Sequence, residues 1–230
     1  MNYEPFEDIY NRACQRKGGR ASLELLLTQP LTNEQLATIA DDRFLAQFTK
    51  SIFQSGFVWR VIHSKWPAFE EVFWEFNIEK LLMMPADMLE RKSQDERIVR
   101  NFTKVKTVPA NAQMMRNVQL EHGSFAQFIA DWPEENIIGL WLYLKKNGQR
   151  LGGNTGPYAL RQIGKDTFIL SQDVESYLRA HNIIEGGLYT KRSLEATQRA
   201  FNHWREESGR SLTELSRLIA FGVGENLVST

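Results

Sequence analysis

The sequence predicts an all-α protein whose helices form two lobes, with the chain crossing between them. Apolar residues recur at three-to-four-residue spacing along much of the 230-residue chain, which is the period of an amphipathic helix. The chain also contains 14 Phe, 6 Trp and 6 Tyr, enough large apolar side chains for a substantial core. Strand-like composition is confined to residues 167–170, for which we expect one short extended segment.

The helical series begins in the first half of the chain. Residues 42–55 carry apolar side chains on one helical face, and Asp41 or Asp42 is the expected N-cap. A second helix follows and is expected to stop at Pro67, because proline removes a backbone donor and clashes with the preceding turn. Residues 68–76 then predict a separate short helix.

Proline and serine mark the next helix boundaries. Pro85 is expected in the first turn of a helix, where its missing N–H costs little. Residues 98–121 predict a long helix that Pro109 kinks or divides. Ser124 is the expected cap of a short helix that ends at Ala130.

The second half of the chain contains a glycine-rich turn between two helices. Residues 137–146 are densely apolar and end in cations followed by glycine, which is typical of a helix C-terminus. The turn occupies residues 152–157 and precedes a further helix. Another helix is expected to begin near Asp173, and residues 193–206 and 211–221 predict the last two.

Positive charge is concentrated in two stretches, although the formal net charge is zero. Residues 97–120 and residues 144–165 each contain five Lys or Arg and no acid. A neutral protein with such stretches can present a basic face to nucleic acid. The alternative is that these cations only occupy solvated helix faces.

The single cysteine, Cys14, excludes a disulfide framework within the chain and favours a reducing, intracellular setting. No apolar run approaches the roughly 20 residues of a membrane-spanning helix. The acidic, amphipathic N-terminal segment is unlike a secretory signal. We therefore expect a cytoplasmic protein that does not enter a membrane.

The glycine-rich turn is a candidate phosphate-binding element. Without a Cβ, glycine lets backbone N–H groups approach a phosphate closely. The nearby cations Lys145, Lys146, Arg150 and Arg161 are candidates for phosphate contacts, and a merely solvated role for one or two of them is the alternative. A carboxylate one short helix later, Asp173, could then act on the bond between sugar and base.

A series of ordered motifs resembles the 3-methyladenine DNA glycosylase I family, within the helix–hairpin–helix DNA glycosylase superfamily. Residues 54–59, Gln-Ser-Gly-Phe-Val-Trp, are similar to the family's Gln-Ala-Gly-x-x-Trp segment. The likeness runs from about residue 41 to 175. Its further motifs are Ile-Val-Arg at 98–100, Asn-Ala at 111–112, Gly-Ser-Phe at 123–125, Leu-Lys-Lys-Asn-Gly at 144–148 and Gly-Asn-Thr at 153–155.

The resemblance implies a two-lobed helix–hairpin–helix glycosylase fold in a single domain, residues 1–230. Within it, the lobe with the base pocket is expected at about 41–135. The hairpin and the segment with the catalytic acid are expected at about 137–185. Terminal helices in residues 1–40 and 186–230 are expected to complete the lobes.

The resemblance also implies an enzyme of base excision repair that hydrolyses the N-glycosidic bond of alkylated purines, 3-methyladenine above all, in double-stranded DNA. Relatives that also cut the strand carry a lysine two residues after the last glycine of the hairpin. That position here is Tyr158, so no amine is available for a Schiff base. We therefore expect a monofunctional, monomeric enzyme that uses water and no cofactor.

The implied site residues fall into three groups. The catalytic acid is Asp173. Trp59 leads the base pocket and suits a cationic methylated base, because tryptophan is the strongest cation–π partner. The other pocket residues are Gln54, Phe53 and Phe57, and the DNA backbone is held by Gly153, Asn154, Thr155, Gly156, Tyr158, Lys145, Lys146, Arg150 and Arg161.

Each of these residues also has a plain structural interpretation. Asp173 could be only the N-cap of its helix, and the three aromatic pocket candidates could be only core residues. Gln54 could face solvent on an amphipathic helix, and Tyr158 could only pack the hairpin.

Three departures separate this chain from the family. One is a longer segment after the hairpin, which ends in Asp173-Val174. The family binds structural zinc through two Cys and two His of its terminal segments, whereas this chain has one Cys and four scattered His. We therefore predict no zinc site. The family also carries a glutamate three residues before the glutamine that Gln54 matches. Ser51 stands at that position here, so the role of the glutamate in reading the base is lost or moved.

Two other functions stay open at the level of the sequence. The chain could be a non-catalytic helix–hairpin–helix DNA-binding protein, or a helical protein that acts on small molecules or other proteins. Salt-sensitive DNA binding separates the last of these from the first two. Release of free base from alkylated DNA separates a glycosylase from a protein that only binds DNA.

Overall fold

The computed structural model describes residues 3–223, and every regular element in that range is helical. In chain order the first helices are α1 (Phe6–Arg16), α2 (Arg20–Glu24), α3 (Asn33–Ala37), α4 (Asp41–Gln54), α5 (Trp59–Val72), α6 (Ile78–Leu82), α7 (Ala86–Ser93) and α8 (Phe102–Val105). They are followed by α9 (Thr107–His122), α10 (Phe125–Asp131), α11 (Ile137–Asn147), α12 (Thr155–Ile163), α13 (Gln172–Ala180), α14 (Lys191–Ser208) and α15 (Leu212–Gly222). Short 3₁₀ turns lie at Trp74–Phe76 and Glu134–Asn136.

The chain divides into two compact units. The terminal unit contains the described residues 3–31, 133–139 and 166–223, and the central unit contains residues 32–132 and 140–165. The predicted all-α fold is therefore confirmed for residues 3–223. None of the helices in that range is both long and apolar enough to span a membrane.

The terminal unit is organised around α15. Helices α1 and α13 both pack against it, and α14 contacts it as well. The core of this unit is aromatic: Phe168 stacks on Phe201 with ring centroids 4.3 Å apart, and Trp204 is fully buried beside Phe201. Helix α14 ends at a glycine, Gly209, whose φ of +69° favours a residue without a Cβ.

The segment at residues 167–170, expected to be extended, is not a β-strand. All four residues are buried in the terminal unit, but they form no ladder with a second strand in the described chain. Thr167 instead hydrogen-bonds through its backbone to the side chain of Thr213 on α15. The β-branched and aromatic side chains therefore mark burial among helices, because strand propensity largely reports how well a side chain fits a buried surface.

The central unit is organised around α4, which packs against α5, α9, α10 and α12. Phe44 and Phe48 of α4 meet the edge of Phe125, with ring centroids 5.6 and 5.7 Å apart. The predicted helix at residues 42–55 is confirmed as α4. The predicted cap Ser124 is also confirmed, since its side chain accepts a hydrogen bond from Gln127 N at 3.2 Å.

Two aspartates cap helices that are distant in sequence. The prediction that Asp41 or Asp42 is the N-cap of α4 is wrong, because Ala40 occupies that position. The Asp41 carboxylate instead accepts hydrogen bonds from the first two amides of α10, Phe125 N at 2.9 Å and Ala126 N at 2.8 Å. In the terminal unit, Asp166 does the same for α15, through Leu212 N and Thr213 N. Each carboxylate satisfies two donors that a helix leaves unpaired at its start.

The expected stop at Pro67 is wrong, because Pro67 lies inside the continuous helix α5. Proline leaves the carbonyl four residues earlier, that of His63, without its helical donor. Both residues are exposed, so water can take the place of that donor. The separate helix expected at 68–76 is accordingly the end of α5 followed by a 3₁₀ turn.

The long helix expected at residues 98–121 is only partly correct. Residues 98–101 are not helical, and the remainder is divided into α8 and α9. The predicted division is therefore present, just before Pro109, which does not kink α9 because it is the third residue of that helix. The first N–H groups of a helix have no partner within that helix, so proline costs little there.

Candidate functional site

The hairpin, defined as residues 148–154 between α11 and α12, is a tight turn that needs glycine. Gly156, at the start of α12, donates its N–H to Leu151 O at 3.2 Å. A Cβ on Gly156 would lie 2.5 Å from that oxygen, so no other residue fits without moving the backbone. Gly153, at the tip, has a φ of +60° and is exposed.

A buried asparagine from α9 holds the hairpin in place. Asn111 is 0% exposed, and its Oδ1 accepts a hydrogen bond from Gln149 N at 2.7 Å while its Nδ2 donates to Gln149 O at 3.2 Å. Both backbone groups of one hairpin residue are thus satisfied by one side chain. This pairing fixes the turn before any ligand binds.

The tip of the hairpin presents donors and positive charge. The N–H groups of Gly152 and Gly153 have no acceptor within residues 3–223. Lys145, Lys146 and Arg150 are exposed, and none of them forms an ion pair within the same described part of the chain. The stem of Lys145 packs on Gly152, since a Cβ there would lie 3.2 Å from the Lys145 Cγ. Such a group of donors and cations suits a phosphate.

The two basic stretches of the sequence do not form one basic face. Two of their lysines, Lys104 and Lys165, are buried and cap helix C-termini through backbone carbonyls. Three of the arginines are paired with carboxylates: Arg97, Arg100 and Arg116. Arg161 is half-buried. The available positive charge is therefore concentrated at the hairpin and at the exposed Lys106.

An exposed aromatic residue contacts α12, the helix that follows the hairpin. Trp59, the first residue of α5, is 46% exposed and is therefore not a core residue. Its ring meets the ring of Tyr158 on α12 edge to face, with centroids 6.0 Å apart and planes at 89°. The fold thus brings together two candidate residues that are about a hundred positions apart in the chain. Trp59, predicted in the base pocket, and Tyr158, predicted at the hairpin, are therefore in contact.

Gln54, at the end of α4, is buried with an unsatisfied amide. It is 3% exposed, so the solvent-facing interpretation is wrong. Its Nε2 lies 3.2 Å from Nε2 of His63, one turn after Trp59 on α5, and its Oε1 has no hydrogen-bond partner within residues 3–223. Buried polar atoms are rarely left without a partner, and a binding site is one place where they are.

A buried lysine holds the end of α4. Lys104 donates from Nζ to Phe53 O at 3.1 Å and to Ser55 O at 2.7 Å, which places a cation at a helix C-terminus. Burial lowers the pKa of Lys104, and the positive charge of Arg150 in the hairpin lowers this pKa further. Lys104 and the segment that carries Gln54 are therefore in direct contact.

The remaining pocket candidates divide between core and surface. Phe53 is 0% exposed and packs edge-on against Phe69, with centroids 4.7 Å apart, so it belongs to the core under α4. Phe57, two residues before Trp59 in the chain, is 43% exposed. Ser51 is buried, and its hydroxyl accepts a hydrogen bond from Gln47 Nε2 at 3.1 Å.

Asp173 lies in the terminal unit, in the first turn of α13, and is half-buried. It is not the N-cap of that helix. Ser171 takes this position, and its hydroxyl accepts a hydrogen bond from Val174 N at 3.3 Å. The plain interpretation of Asp173 as a cap is therefore wrong, and its catalytic role stays a prediction.

Sequence reasoning did not find three of the residues that shape the site. Asn111 was noted only as part of a motif and Lys104 as a cation of a basic stretch. Their bonds to Gln149 and to the end of α4 depend on distant backbone groups. His63 carried a usable signal, since it follows Trp59 at i, i+4 spacing, which places both side chains on one helical face.

Comparison with known proteins identifies the family and the fold of this chain. Residues 37–160 match the methyladenine glycosylase family. The fold is similar to 3-methyladenine DNA glycosylase I from Staphylococcus aureus, at 21% identity over 68% of this chain and 91% of that one, with a TM-score of 0.50. It is also similar to the 8-oxoguanine DNA glycosylase of Methanocaldococcus jannaschii, at 14% identity over 93% and 92% of the two chains, with a TM-score of 0.57. The fold is therefore that of the helical DNA glycosylases.

Proposed function

Because this chain belongs to the methyladenine glycosylase family, we propose that it is a monofunctional DNA glycosylase that removes alkylated purines, with 3-methyladenine as the preferred base. The observation that carries the proposal is the contact between Trp59 and Tyr158. It joins an exposed aromatic that can stack on a base to the helix that follows a phosphate-binding turn. One DNA strand can then contact both elements at once.

The hairpin is proposed to hold the DNA backbone. A glycosylase must turn the damaged nucleotide out of the duplex, because the bond between sugar and base cannot be reached in the stack. The N–H groups of Gly152 and Gly153, with Lys145, Lys146 and Arg150, supply contacts to phosphate. Such contacts position the protein without reading the sequence.

The base pocket is proposed to bind the flipped base through Trp59 and Gln54. Methylation at N3 gives adenine a positive charge, and an exposed tryptophan face attracts a cation. The unsatisfied Oε1 of Gln54 can accept a hydrogen bond from the edge of the base, which would satisfy both groups. A neutral Ser51 stands where the family has a glutamate, so the amide is the group proposed to read the base.

Asp173 is proposed to assist hydrolysis. When the bond between C1′ and the base breaks, its electron pair leaves with the base, which departs as a neutral molecule. Water forms the new bond at C1′ and gives its proton to the carboxylate or to solvent. The carboxylate stabilises the positive sugar and orients that water. The first turn of a helix suits an anion. No lysine stands at Tyr158, so no Schiff base forms and the strand stays intact.

The proposed function is tested with duplex DNA methylated in vitro and with the purified protein. Chromatography of the released bases is expected to show free 3-methyladenine, above the spontaneous release measured without protein. The DNA strand should remain uncut until it is treated with alkali. Tight, salt-sensitive DNA binding without base release would indicate a DNA-binding protein instead. Absence of both would contradict the proposal.

A further inference from the structure

Away from the hairpin and the base pocket, the terminal unit contains a largely buried cluster around Glu4. Its carboxylate accepts hydrogen bonds from Arg12 on α1 at 2.7 and 2.8 Å and from the Tyr177 hydroxyl on α13 at 2.7 Å. Nε2 of His181, just after α13, lies 3.3 Å from the same carboxylate. The backbone carbonyl of Glu4 accepts another hydrogen bond, from Trp204 Nε1 on α14 at 2.9 Å. The segment before α1 is therefore tied to three helices.

The electrostatics of the Glu4 cluster favour a carboxylate beside a neutral phenol. The Arg12 guanidinium lowers the pKa of Glu4, burial opposes this, and the Tyr177 hydroxyl adds to the lowering. Burial raises the pKa of Tyr177, and the neighbouring Glu4 raises it further. Tyr177 is 1% exposed, so its hydroxyl is a buried donor that depends on Glu4 for its acceptor.

Tyr177 and Asp173 lie one turn apart on α13. Residues at i and i+4 project from the same face of a helix, one above the other. The bond from Tyr177 to Glu4 therefore ties α13 to the segment before α1 at the turn next to Asp173.

We propose that Glu4 is a positioning residue for the catalytic acid: through Tyr177, it sets the direction in which α13 presents Asp173. The inference rests on the proposed function of Asp173. It gives Glu4, which precedes the residues that match the family, a part in catalysis. A misplacement of about 1 Å at a reacting centre can cost on the order of 10²-fold in rate, so a small rotation of α13 is sufficient.

The same unit offers a matched control of the same chemistry. Glu24, at the end of α2, accepts hydrogen bonds from the Tyr10 hydroxyl at 2.6 Å and from Arg210 Nη1 at 3.0 Å. This second cluster of Glu, Tyr and Arg joins α1, α2 and the start of α15, and it contains no residue of α13. Loss of the hydrogen bonds of this second cluster should destabilise the terminal unit about as much as loss of those around Glu4. It should leave α13, the helix that carries Asp173, in place.

The experiment compares Glu4→Gln and Tyr177→Phe with the controls Glu24→Gln and Tyr10→Phe. Single-turnover release of 3-methyladenine is measured at saturating protein, together with the dissociation constant for DNA and the melting temperature. Glu4→Gln and Tyr177→Phe are expected to slow release by about tenfold with unchanged DNA affinity. The two control variants should release base at the wild-type rate although their melting temperatures fall.

A double-variant cycle makes the test specific. In an Asp173→Asn background, Tyr177→Phe should cause no further loss of rate, because a misplaced acid and an absent acid are the same defect. Should Glu4→Gln fail to fold, Tyr177→Phe carries the test, since it removes a single hydroxyl.

Three results would overturn the inference while leaving the proposed function intact. They are a wild-type rate in folded Tyr177→Phe, equal losses in Tyr177→Phe and Tyr10→Phe, and an additive loss in the Asp173→Asn background. Full activity of Asp173→Asn would remove both Asp173 as the acid and Glu4 as its positioning residue. A wild-type protein that releases no base contradicts the proposed function, and the inference falls with it.

Discussion

At the scale of single residues, the side-chain amide of Gln54 is buried at a position where it destabilises the free protein. Gln54 is 3% exposed, and its Oε1 lacks a partner in residues 3–223. An unsatisfied buried polar atom costs about 1–3 kcal/mol. Gln198 in the terminal unit shows the contrast, because its amide accepts from Ile138 N and donates to Glu134 O. A group that is useful only when a ligand binds is destabilising in the free protein.

Replacing Gln54 by Met is therefore expected to leave stability unchanged or to raise it by up to about 1 kcal/mol. The same variant should release 3-methyladenine about tenfold more slowly, because one base contact of roughly 1.4 kcal/mol is lost. Denaturant unfolding and single-turnover release measure the two effects. The control Gln198→Met, equally buried but paired, should lose stability and keep activity. A Gln54→Met protein as unstable as the control would show that the amide is structural.

Replacing Asp173 by Asn should abolish most base release and leave DNA binding and the fold intact. The N-cap of α13 is Ser171, so the change removes charge without removing the cap. An electrostatic contribution of this kind is typically worth on the order of 10²-fold in rate. The loss should be smaller for 3-methyladenine, whose charge already makes it a good leaving group, than for a neutral base. Wild-type single-turnover release by Asp173→Asn would remove it from the mechanism.

At the scale of elements, the hairpin is a rigid turn whose outward face has no internal partners. Asn111 binds both backbone groups of Gln149, and Gly156 allows the close approach to Leu151 O. The hairpin groups without such internal contacts are the N–H groups of Gly152 and Gly153 at the tip and the side-chain cations around it. Contacts of this kind give affinity without sequence preference and release counterions from DNA.

Lys145→Ala should therefore lower the slope of log affinity against log salt by about one unit on duplex DNA. Lys80 on α6 is also exposed and forms no ion pair within residues 3–223, so Lys80→Ala is the matched control for loss of charge alone. Fluorescence titrations across a salt series measure both slopes. Equal slopes for the two variants would exclude Lys145 from the phosphate contacts.

At the scale of the whole molecule, half-buried, ion-paired carboxylates make stability depend on pH. The Arg12 guanidinium lowers the pKa of Glu4 below its ordinary value of 4.5, and Arg210 with the Tyr10 hydroxyl does the same for Glu24. A group with a lowered folded pKa stabilises the fold above its unfolded pKa. That stabilisation is lost as the pH falls through the folded value.

The free energy of unfolding should therefore fall as the pH is lowered below about 4.5, and Glu24→Gln should flatten this dependence. Denaturant unfolding at a series of pH values measures it. Glu90 is exposed and forms no ion pair in the described chain, so Glu90→Gln should keep the wild-type dependence. An identical pH dependence in both variants would show that Glu24 is not one of the responsible groups.

The zinc content of the purified protein is a further property at the scale of the whole molecule, and we predict that it contains no stoichiometric zinc. Within residues 3–223, no three His, Cys, Asp or Glu side chains are grouped so as to hold a metal ion. Hydrogen bonds of Glu4 join the N-terminal segment to α13 and α14 instead. Elemental analysis should find no zinc, and a chelator should leave the melting temperature unchanged. One zinc per chain would contradict the prediction.

The sequence by itself determined the helical class, most helix positions, the glycine-rich turn and the family. These features depend on local patterns: a period of three to four residues, a serine cap such as Ser124, and glycines such as Gly153 and Gly156 where a side chain cannot fit. Each of these patterns extends over only a few neighbouring residues, so it can be recognised in the sequence without knowledge of tertiary contacts. The positions of Trp59 and Tyr158 were predicted in the same way, from motifs along the chain.

Only the tertiary structure decided which groups meet. Asp41 caps a helix that begins 84 residues later, and Lys104, a cation of one basic stretch, is buried against the end of α4. Pro67 is tolerated because its turn faces solvent, and residues 167–170 are buried without a partner strand in the described chain. The physical reason is common to all four. Burial and long-range hydrogen bonds depend on packing between distant segments, and no local pattern records which segments those are.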